Sequence, residues 1–438
     1  MKKRLLYLSE CFTFAGCENV LVNLMSNEAL LNRYDVHYAY GYNSDYQRGV
    51  EKYIGPAVKT YPLRLFTNDH LLYRVRLGFG NKVVRAAVLL LCAPLRILRM
   101  CGVHGAWNAM VLYDLFSRIQ PDILHINNGG YPGSLSCRLA VLSAKCAGIE
   151  KIIFTVNNMA RDQGRAIDPL LDRFVGEQVD FFVTGSHAAR QRLAEKRRFD
   201  LDKLLVIPNT LRNGITGGQG GGWLRTTFCI DGPAFVIGSA GHLTRRKGYH
   251  VLIESLSLLK DLLGNVKVLI FGDGEERSSL QKQIVKYGLD GVVTLPGFKD
   301  NLLDYMKDFD LFVLPSIEDE DLPYVILEAM MLGKPVIGTR VAGIPEQIEH
   351  GETGLLVDPS NPEALARAIR QILLGTGKLQ DMGEAARRKY AANFGYEQTM
   401  SRYLELYDSL TNAKKSESES TSSNQTALCK GVQRSGAC

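Results

Sequence analysis

Short apolar runs alternating with helically patterned stretches occur in two sets, separated by the glycine-rich segment NGITGGQGGGW at 213–223. The first set reads RLLYLS, VHYAYGY, DILHIN, KIIFTV, FFVTGS and LLVIPN; the second reads AFVIGSAG, VKVLIFGDG, VVTLPGF, LFVLPS, PVIGT and GLLV. Strands that are apolar almost without interruption must be covered on both faces, which a parallel sheet between helix layers achieves. The pattern predicts an α/β chain of two doubly wound, Rossmann-like units joined by a flexible glycine hinge, with a cleft between them that closes on a substrate. Ligands of such sheets bind beyond the carboxyl ends of the strands, where the loops containing Gly241, Gly272, Gly297 and Ser316 fall.

The boundaries read 1–212 for the first unit, with an insertion at about 71–107, then 213–225 for the linker and 226–392 for the second unit. An amphipathic helix is expected at 393–411, with Tyr403, Leu406, Tyr407 and Leu410 on one face. The polar stretch 412–438 reads as a disordered tail.

A chain of 438 residues exceeds one ordinary core, and 46% hydrophobic with 22% charged residues describes a globular protein. The net charge of +6 comes without the basic stripe and interleaved aromatics that nucleic acid requires, so no nucleic-acid partner is expected. Nine cysteines show neither a CxxC pair nor Cys/His ligand spacing, which predicts reduced thiols and no structural metal site. MKKRLLYLSECF runs directly into the first strand rather than forming a secretory signal, and no stretch reaches the ~20 apolar residues of a spanning helix. A cytoplasmic location follows as the expectation, with peripheral attachment to the inner face of the cell membrane as its variant.

The segment EDEDLPYVILEAMMLGKP, residues 318–335, crowds acids before a helix and keeps Glu328 inside the apolar run. Asp321 stands where a cap would, Pro323 suits the first turn, and Gly333 with Pro335 closes the helix. Side chains lean toward the helix N-terminus, so Glu320 and Glu328 are expected to flank one mouth of free amides. A nucleotide-diphosphate sugar fits that layout, its diphosphate facing the amides and its hydroxyls donating to the carboxylates; plain surface capping is the alternative. Across the crevice, GSAGHLTRRKGYHVLIESL supplies Arg245, Arg246 and Lys247 close to the next helix, either to neutralise a diphosphate or as a solvated basic loop.

Taken together, EDLPYVILE with AMMLGKPVIGTRVAGIPEQIEHGETGLLV, GHLTRRKG, FGDGEER and PGFKDNLLDYMKDFDLFVLPS resemble the retaining glycosyltransferases of family 4, which have the two-domain GT-B fold. Weaker matching pieces are FAGCENVLVNL, PDILHINN, FTVNNMA and VIPNT in the first half. The resemblance implies that Glu320 contacts the transferred sugar and Glu328 the nucleotide ribose. It places the diphosphate at the helix start of Pro323, on the amides that follow it at Tyr324 and Val325, with Lys247 and the loop of Gly241, His242, Arg245 and Arg246, and makes Glu320, Lys247 and Arg246 the catalytic set. Gly297, Phe298 and Lys299 are expected along the base, Gly16 near the donor phosphate, and His125 and Asn157 on the sugar or acceptor side. It also implies metal independence and no cofactor beyond the nucleotide-sugar donor, although residues 319–321 superficially read as an Asp-x-Asp.

Three positions depart from the family pattern: His242 stands where Arg is usual, Asp321 where Gly is common, and Asn157 where His is usual. The first shifts cationic duty to Arg245 or Arg246, and the last bears on sugar contact. His125 also reads, from its place at a strand end, as a packed or capping residue.

The insertion RVRLGFGNKVVRAAVLLLCAPLRILRMCG has an apolar core from Ala86 to Leu95 flanked by Arg74, Arg76, Lys82, Arg85, Arg96 and Arg99. It reads either as an interfacial segment on anionic lipid or as a buried helix with snorkelling arginines. The first alternative makes the saccharide acceptor lipid-linked, as in surface polysaccharide assembly. A GT-B nucleotide-sugar epimerase and a non-catalytic nucleotide-sugar-binding protein are the rival functions; a dinucleotide-dependent dehydrogenase is disfavoured because no GxGxxG follows the first strand.

Overall fold

The computed structural model describes residues 2–11, 14, 16–66, 102–162, 168–212, 214–215, 222–230, 232–375 and 378–411. The basic and apolar stretch 74–99, most of the glycine-rich segment and the tail 412–438 lie outside the described residues.

Two all-parallel sheets form. The first contains β1 (Lys3–Ser9), β2 (Tyr34–Gly41), β3 (Lys59–Leu63), β4 (Ile123–Asn128), β5 (Lys151–Val156), β6 (Phe181–Thr184) and β7 (Leu204–Val206), in the order β3-β2-β1-β4-β5-β6-β7. The second contains β8 (Phe235–Ala240), β9 (Val266–Phe271), β10 (Val293–Gly297), β11 (Leu311–Leu314), β12 (Val336–Thr339) and β13 (Gly354–Val357), in the order β10-β9-β8-β11-β12-β13. Each sheet reverses direction once, at β1/β4 and at β8/β11, which creates the crevice where doubly wound sheets bind ligands.

The strands form where apolar runs can be buried twice. Leu5, Leu6, Tyr7 and Leu8 of β1 all have essentially no exposed surface, and successive side chains enter different clusters on the two faces of the sheet. Full burial of one such aliphatic side chain is worth about 1.5–3 kcal/mol. Strand β3, KTYPL, was not visible as an apolar run: it is an edge strand in which only Leu63 is buried, and Pro62 removes one donor that an edge tolerates.

The helix over 396–411 returns to the first sheet. Met400, Tyr403, Leu406, Tyr407 and Leu410 join the cluster of Leu5, Tyr7 and Val20, as their common face predicts. The linker reading needs one correction. Trp223–Thr227 is a helix, Leu224 is fully buried, and the Gly222 and Leu224 amides donate to Asp308 at 2.7 and 2.9 Å. Residues 223–225 are therefore tied into the second unit, because Leu224 gains a core position there that composition does not reveal.

Candidate functional site

The switch point of the second sheet places two loops side by side: 241–248 after β8, and 315–323 after β11. The first begins at Gly241, whose φ of +150° suits glycine and whose Cβ would stand 2.7 Å from the Tyr249 hydroxyl. It then turns through Arg245–Lys247 and brings Lys247 inward. Lys247 Nζ reaches Glu320 Oε1 at 2.5 Å, Arg246 donates to the same oxygen at 3.0 Å, and Ser316 Oγ donates to it at 2.8 Å. Burial pushes the Lys247 amine below its usual range, while the Glu320 charge pulls the other way. Arg245 and His242 remain exposed.

The helix Tyr324–Met331 starts directly behind this cluster. Pro323 is its N-cap and no side chain caps it; Ile326 N turns back to Pro323 O at 3.2 Å, which leaves the amides of Tyr324 and Val325 at the mouth without a side-chain cap. This overturns the capping role expected of Asp321. That carboxylate instead accepts from Gly185 N at 3.0 Å and from Ser186 Oγ at 2.5 Å, both in the first unit. Burial raises it to about 7, against the opposing pull of these two bonds. The neighbouring acids also part company: Asp319 faces Arg161 and Arg192 at 3.8 and 3.6 Å.

Glu328 borders a cavity of about 390 Å³ together with Asn19, Arg212, Asp300, Asn301 and Asp304. Its Oε2 is enclosed without a partner, and burial raises its carboxyl to about 7 despite the nearby Arg212. The mouth collects other such groups. Among the described residues nine buried polar side-chain atoms lack a partner, and five of them (Thr244 Oγ1, Tyr249 Oη, Tyr324 Oη, Glu328 Oε2 and Gln347 Oε1) belong to this part of the second unit. Unsatisfied polar atoms are rare in native interiors, so their concentration here marks a surface shaped for a polar ligand.

The loop at Gly297 lies next along the same rim, where Gly272 N donates to Gly297 O at 3.0 Å. Phe298 is 70% exposed and Lys299 partly so, while Phe298 N donates to Asp273 at 3.3 Å. From the opposite unit Gly16 approaches the helix start: a Cβ there would sit 3.8 Å from the Tyr324 ring. Asn157 lies at the carboxyl end of β5 and donates to Asn127 Oδ1 at 2.7 Å and Asn128 O at 3.1 Å.

His125 does not join the site as an acceptor contact. It has no exposed surface, and its ring nitrogens engage Tyr407 Oη and Thr155 Oγ1, each at 2.7 Å. Burial lowers it to about 3, so it is a neutral core residue held beneath the C-terminal helix. Sequence reading placed the Ser316 loop at the strand ends but missed Tyr249, Arg212 and Gln347, which carry no local signal. It also missed the partners of Asp321, which lie 135 and 136 residues away. Among the described residues no three His, Cys, Asp or Glu side chains gather as a metal cluster.

The family described as "Glycosyl transferases group 1" matches residues 228–389, and "Glycosyltransferase Family 4" matches 57–211. The lipopolysaccharide core biosynthesis glycosyltransferase LpsE of Rhizobium meliloti is 35% identical over 179 residues, 40% of this chain and 51% of its own. The putative colanic acid biosynthesis glycosyltransferase WcaL of Salmonella typhimurium is 34% identical over 174 residues, 38% and 43% of the two chains. The chain thus spans about half the length of the curated relatives it matches. In overall fold it is similar to HepE of Anabaena in complex with UDP, with a TM-score of 0.71, 18% identity and coverage of 93% and 100% of the two chains. A glycosyltransferase from Rickettsia africae gives 0.73 at 20% identity, covering 94% and 99%.

Proposed function

The chain belongs to the group 1 glycosyl transferases with the GT-B fold, and on that footing we propose that it moves a hexose-type sugar from a nucleotide-diphosphate sugar to a saccharide acceptor, with retention. The observation that carries the reading is the set of five unpartnered polar atoms around an uncapped helix mouth, beside Lys247 and Arg246. A diphosphate needs the amides and the two cations, and a ribose needs an acceptor such as Glu328. The exposed Phe298 offers its ring to the base.

In the proposed step the bond between the anomeric carbon and the diphosphate oxygen breaks, and the electron pair leaves with the nucleoside diphosphate. The acceptor hydroxyl oxygen bonds to the same face of that carbon, and its proton passes to the departing oxygen. Lys247 and Arg246 stabilise the growing negative charge, and Glu320 lies beside the reacting centre. Two fixed cations supply charge compensation without a divalent ion, so activity is expected to survive chelator.

The acceptor is proposed to be lipid-linked, as in cell-surface polysaccharide synthesis. The biosynthetic roles that LpsE and WcaL are named for support this, as does an exposed stripe of Val103, Trp107, Met110 and Tyr113 on the helix Val103–Ile119. Among the described residues no helix is long and apolar enough to cross a membrane, so contact with lipid would be peripheral. Incubation with a panel of nucleotide sugars, with and without bacterial lipid extract, tests the reading. Transfer only in the presence of extract is the expected result. Epimerised donor, or binding without turnover in every mixture, defeats it.

A further inference from the structure

We propose that Asp321 is a positioning residue that ties Glu320 to the first sheet unit. This rests on the transfer reading above for its consequence in catalysis, but its geometry stands independently. Asp321 is 4% exposed and makes both its bonds across the chain's two units. Oδ2 accepts from the Gly185 amide, which directly follows β6, and Oδ1 accepts from Ser186 Oγ. Ser186 is also the N-cap of the helix His187–Arg197, its hydroxyl accepting from Ala189 N at 3.1 Å. The carboxylate therefore binds the rigid corner where a core strand turns into a helix. The two bonds favour the ionised carboxyl against the burial that raises it, and in that form bonds at a helix N-terminus are charge-assisted and stronger than neutral ones.

A second carboxylate from the same side completes the grip. Glu346 accepts from His187 N at 2.9 Å and from Ala188 N at 2.8 Å. Gly343, three residues earlier, donates its amide to Glu320 O at 3.1 Å. The three backbones meet without slack: a Cβ on Gly343 would lie 1.7 Å from Asp321 O, and one on Gly185 would lie 2.8 Å from Asp321 Oδ2. The loop carrying Glu320 is thus bonded to the first unit on its C-terminal side, and Asp319 adds longer ion pairs to Arg161 and Arg192 on the other. Glu320 itself reaches the opposite way, into Lys247 and Arg246 of the second unit.

The consequence is a fixed relation between the first unit and the carboxylate beside the reacting carbon. A shift of the Ser186 corner moves Asp321, and through one peptide bond it moves Glu320. Because displacement of a positioned group by about 1 Å costs roughly ten- to hundredfold in rate, Asp321 governs turnover without touching the donor.

Hydrogen exchange followed by mass spectrometry tests this on the full chain. In Asp321→Ala, exchange is expected to rise about tenfold both in peptides covering 185–189 and in those covering 318–323, with the rest of the protein unchanged. Asp321→Asn keeps one acceptor and the residue's shape, guards against a folding failure, and is expected to fall between wild type and Ala. With whichever nucleotide sugar the wild type uses, Asp321→Ala lowers kcat roughly ten- to hundredfold and leaves the donor KM within about twofold, and Asn restores part of kcat. Faster exchange confined to 185–189, or equal losses in kcat and donor affinity, overturns the proposal. If the wild type transfers no sugar at all, the transfer reading fails, while the exchange result still decides whether Asp321 couples the two units.

Discussion

Lys247 Nζ lies 2.5 Å from Glu320 Oε1, and both side chains are largely shut away from solvent. Arg246 and Ser316 converge on the same oxygen. The carboxylate that the family resemblance assigns to the sugar is therefore the counter-charge of the cations assigned to the diphosphate. On the proposed reading a diphosphate arriving at the mouth would compete with Glu320 for Lys247, so that donor binding and the release of Glu320 toward the sugar would be one event. The charge balance is local and the ions are mostly desolvated, so the exchange is worth more than it would be in water.

Replacing Glu320 should separate binding from turnover. Glu320→Gln removes the competitor for Lys247 and Arg246, so calorimetry with UDP as the probe is expected to show affinity tightened by about tenfold. Transfer should fall by on the order of 10²–10³, because a group beside the reacting carbon is lost. Lys247→Ala should weaken UDP and slow transfer together. Weaker UDP binding by Glu320→Gln would show that the carboxylate does not compete with the diphosphate.

Glu328 carries a stability cost with a defined pH window. Its carboxyl is raised from 4.5 in the unfolded reference to about 7 in the fold, chiefly by burial, with Arg212 opposing. The folded chain holds that proton more tightly than the unfolded chain does. Stability is accordingly complete below about 4.5 and is lost as pH rises through about 7. Glu328→Gln should be more stable than wild type at pH 8 by on the order of 1–3 kcal/mol, discounted because the residue is partly open to the cavity, and equal to it near pH 4.5. The same variant should bind UDP more weakly at pH 8 if, as proposed, the ionised wild-type carboxylate accepts from the ribose hydroxyls. Urea unfolding and calorimetry at pH 5, 6.5 and 8 check both halves; a stability difference independent of pH would remove the argument.

The two readings of His125 make opposite predictions. As a core residue bridging Tyr407 and Thr155, its replacement by Ala removes one hydrogen bond from each of two buried hydroxyls, Tyr407 keeping its bond to Tyr7, and leaves a small cavity, a loss of about 2–4 kcal/mol. Acceptor and donor KM of the folded fraction should not change. Since burial holds the ring near 3, no limb of the activity profile between pH 5 and 8 should belong to it. A His125→Asn variant of normal stability with acceptor KM raised more than about tenfold would return His125 to the acceptor site.

These cases show where the sequence was legible. Twelve strands announce themselves as apolar runs, and β3 does not, because in this edge strand Leu63 alone is buried. Lys247 and Glu320 could be expected near each other because their loops follow strands at the switch point of a doubly wound sheet. Asp321 could not be placed. Cap preferences describe the next three residues of the chain, whereas its partners belong to the other unit and are fixed only by tertiary packing. For His125 the strand-end position already suggested a packed residue while the family resemblance put it on the acceptor side, and its partner Tyr407, 282 residues away on the helix at 396–411, could not be read locally.

The last prediction concerns the surface that would meet a lipid-borne acceptor. Trp107, Met110 and Tyr113 are 47%, 63% and 46% exposed, and Phe66 packs edge-on against Trp107 with ring centroids 5.9 Å apart. Large exposed aromatics beside Met are interface residues, apolar in body and able to sit at headgroup depth. The sequence next to them is basic: between residues 70 and 113 there is no Asp or Glu, and the six Arg and Lys of 74–99 equal the chain's formal net charge of +6. The segment that precedes this helix in sequence thus carries a charge equal to the protein's net excess, and each cation near an anionic bilayer would contribute about 1 kcal/mol. Wild type is expected to co-sediment with phosphatidylglycerol vesicles at low salt and to be released as salt rises, since screening at moderate ionic strength acts over roughly 10 Å. Trp107→Ser with Met110→Ser removes largely exposed apolar area together with the surface contact to Phe66, so the melting temperature should fall by no more than about 4 °C while vesicle affinity falls at least about tenfold. Wild type remaining in the supernatant at low salt, or a double variant that binds vesicles as wild type does, would leave the exposed face without a lipid role.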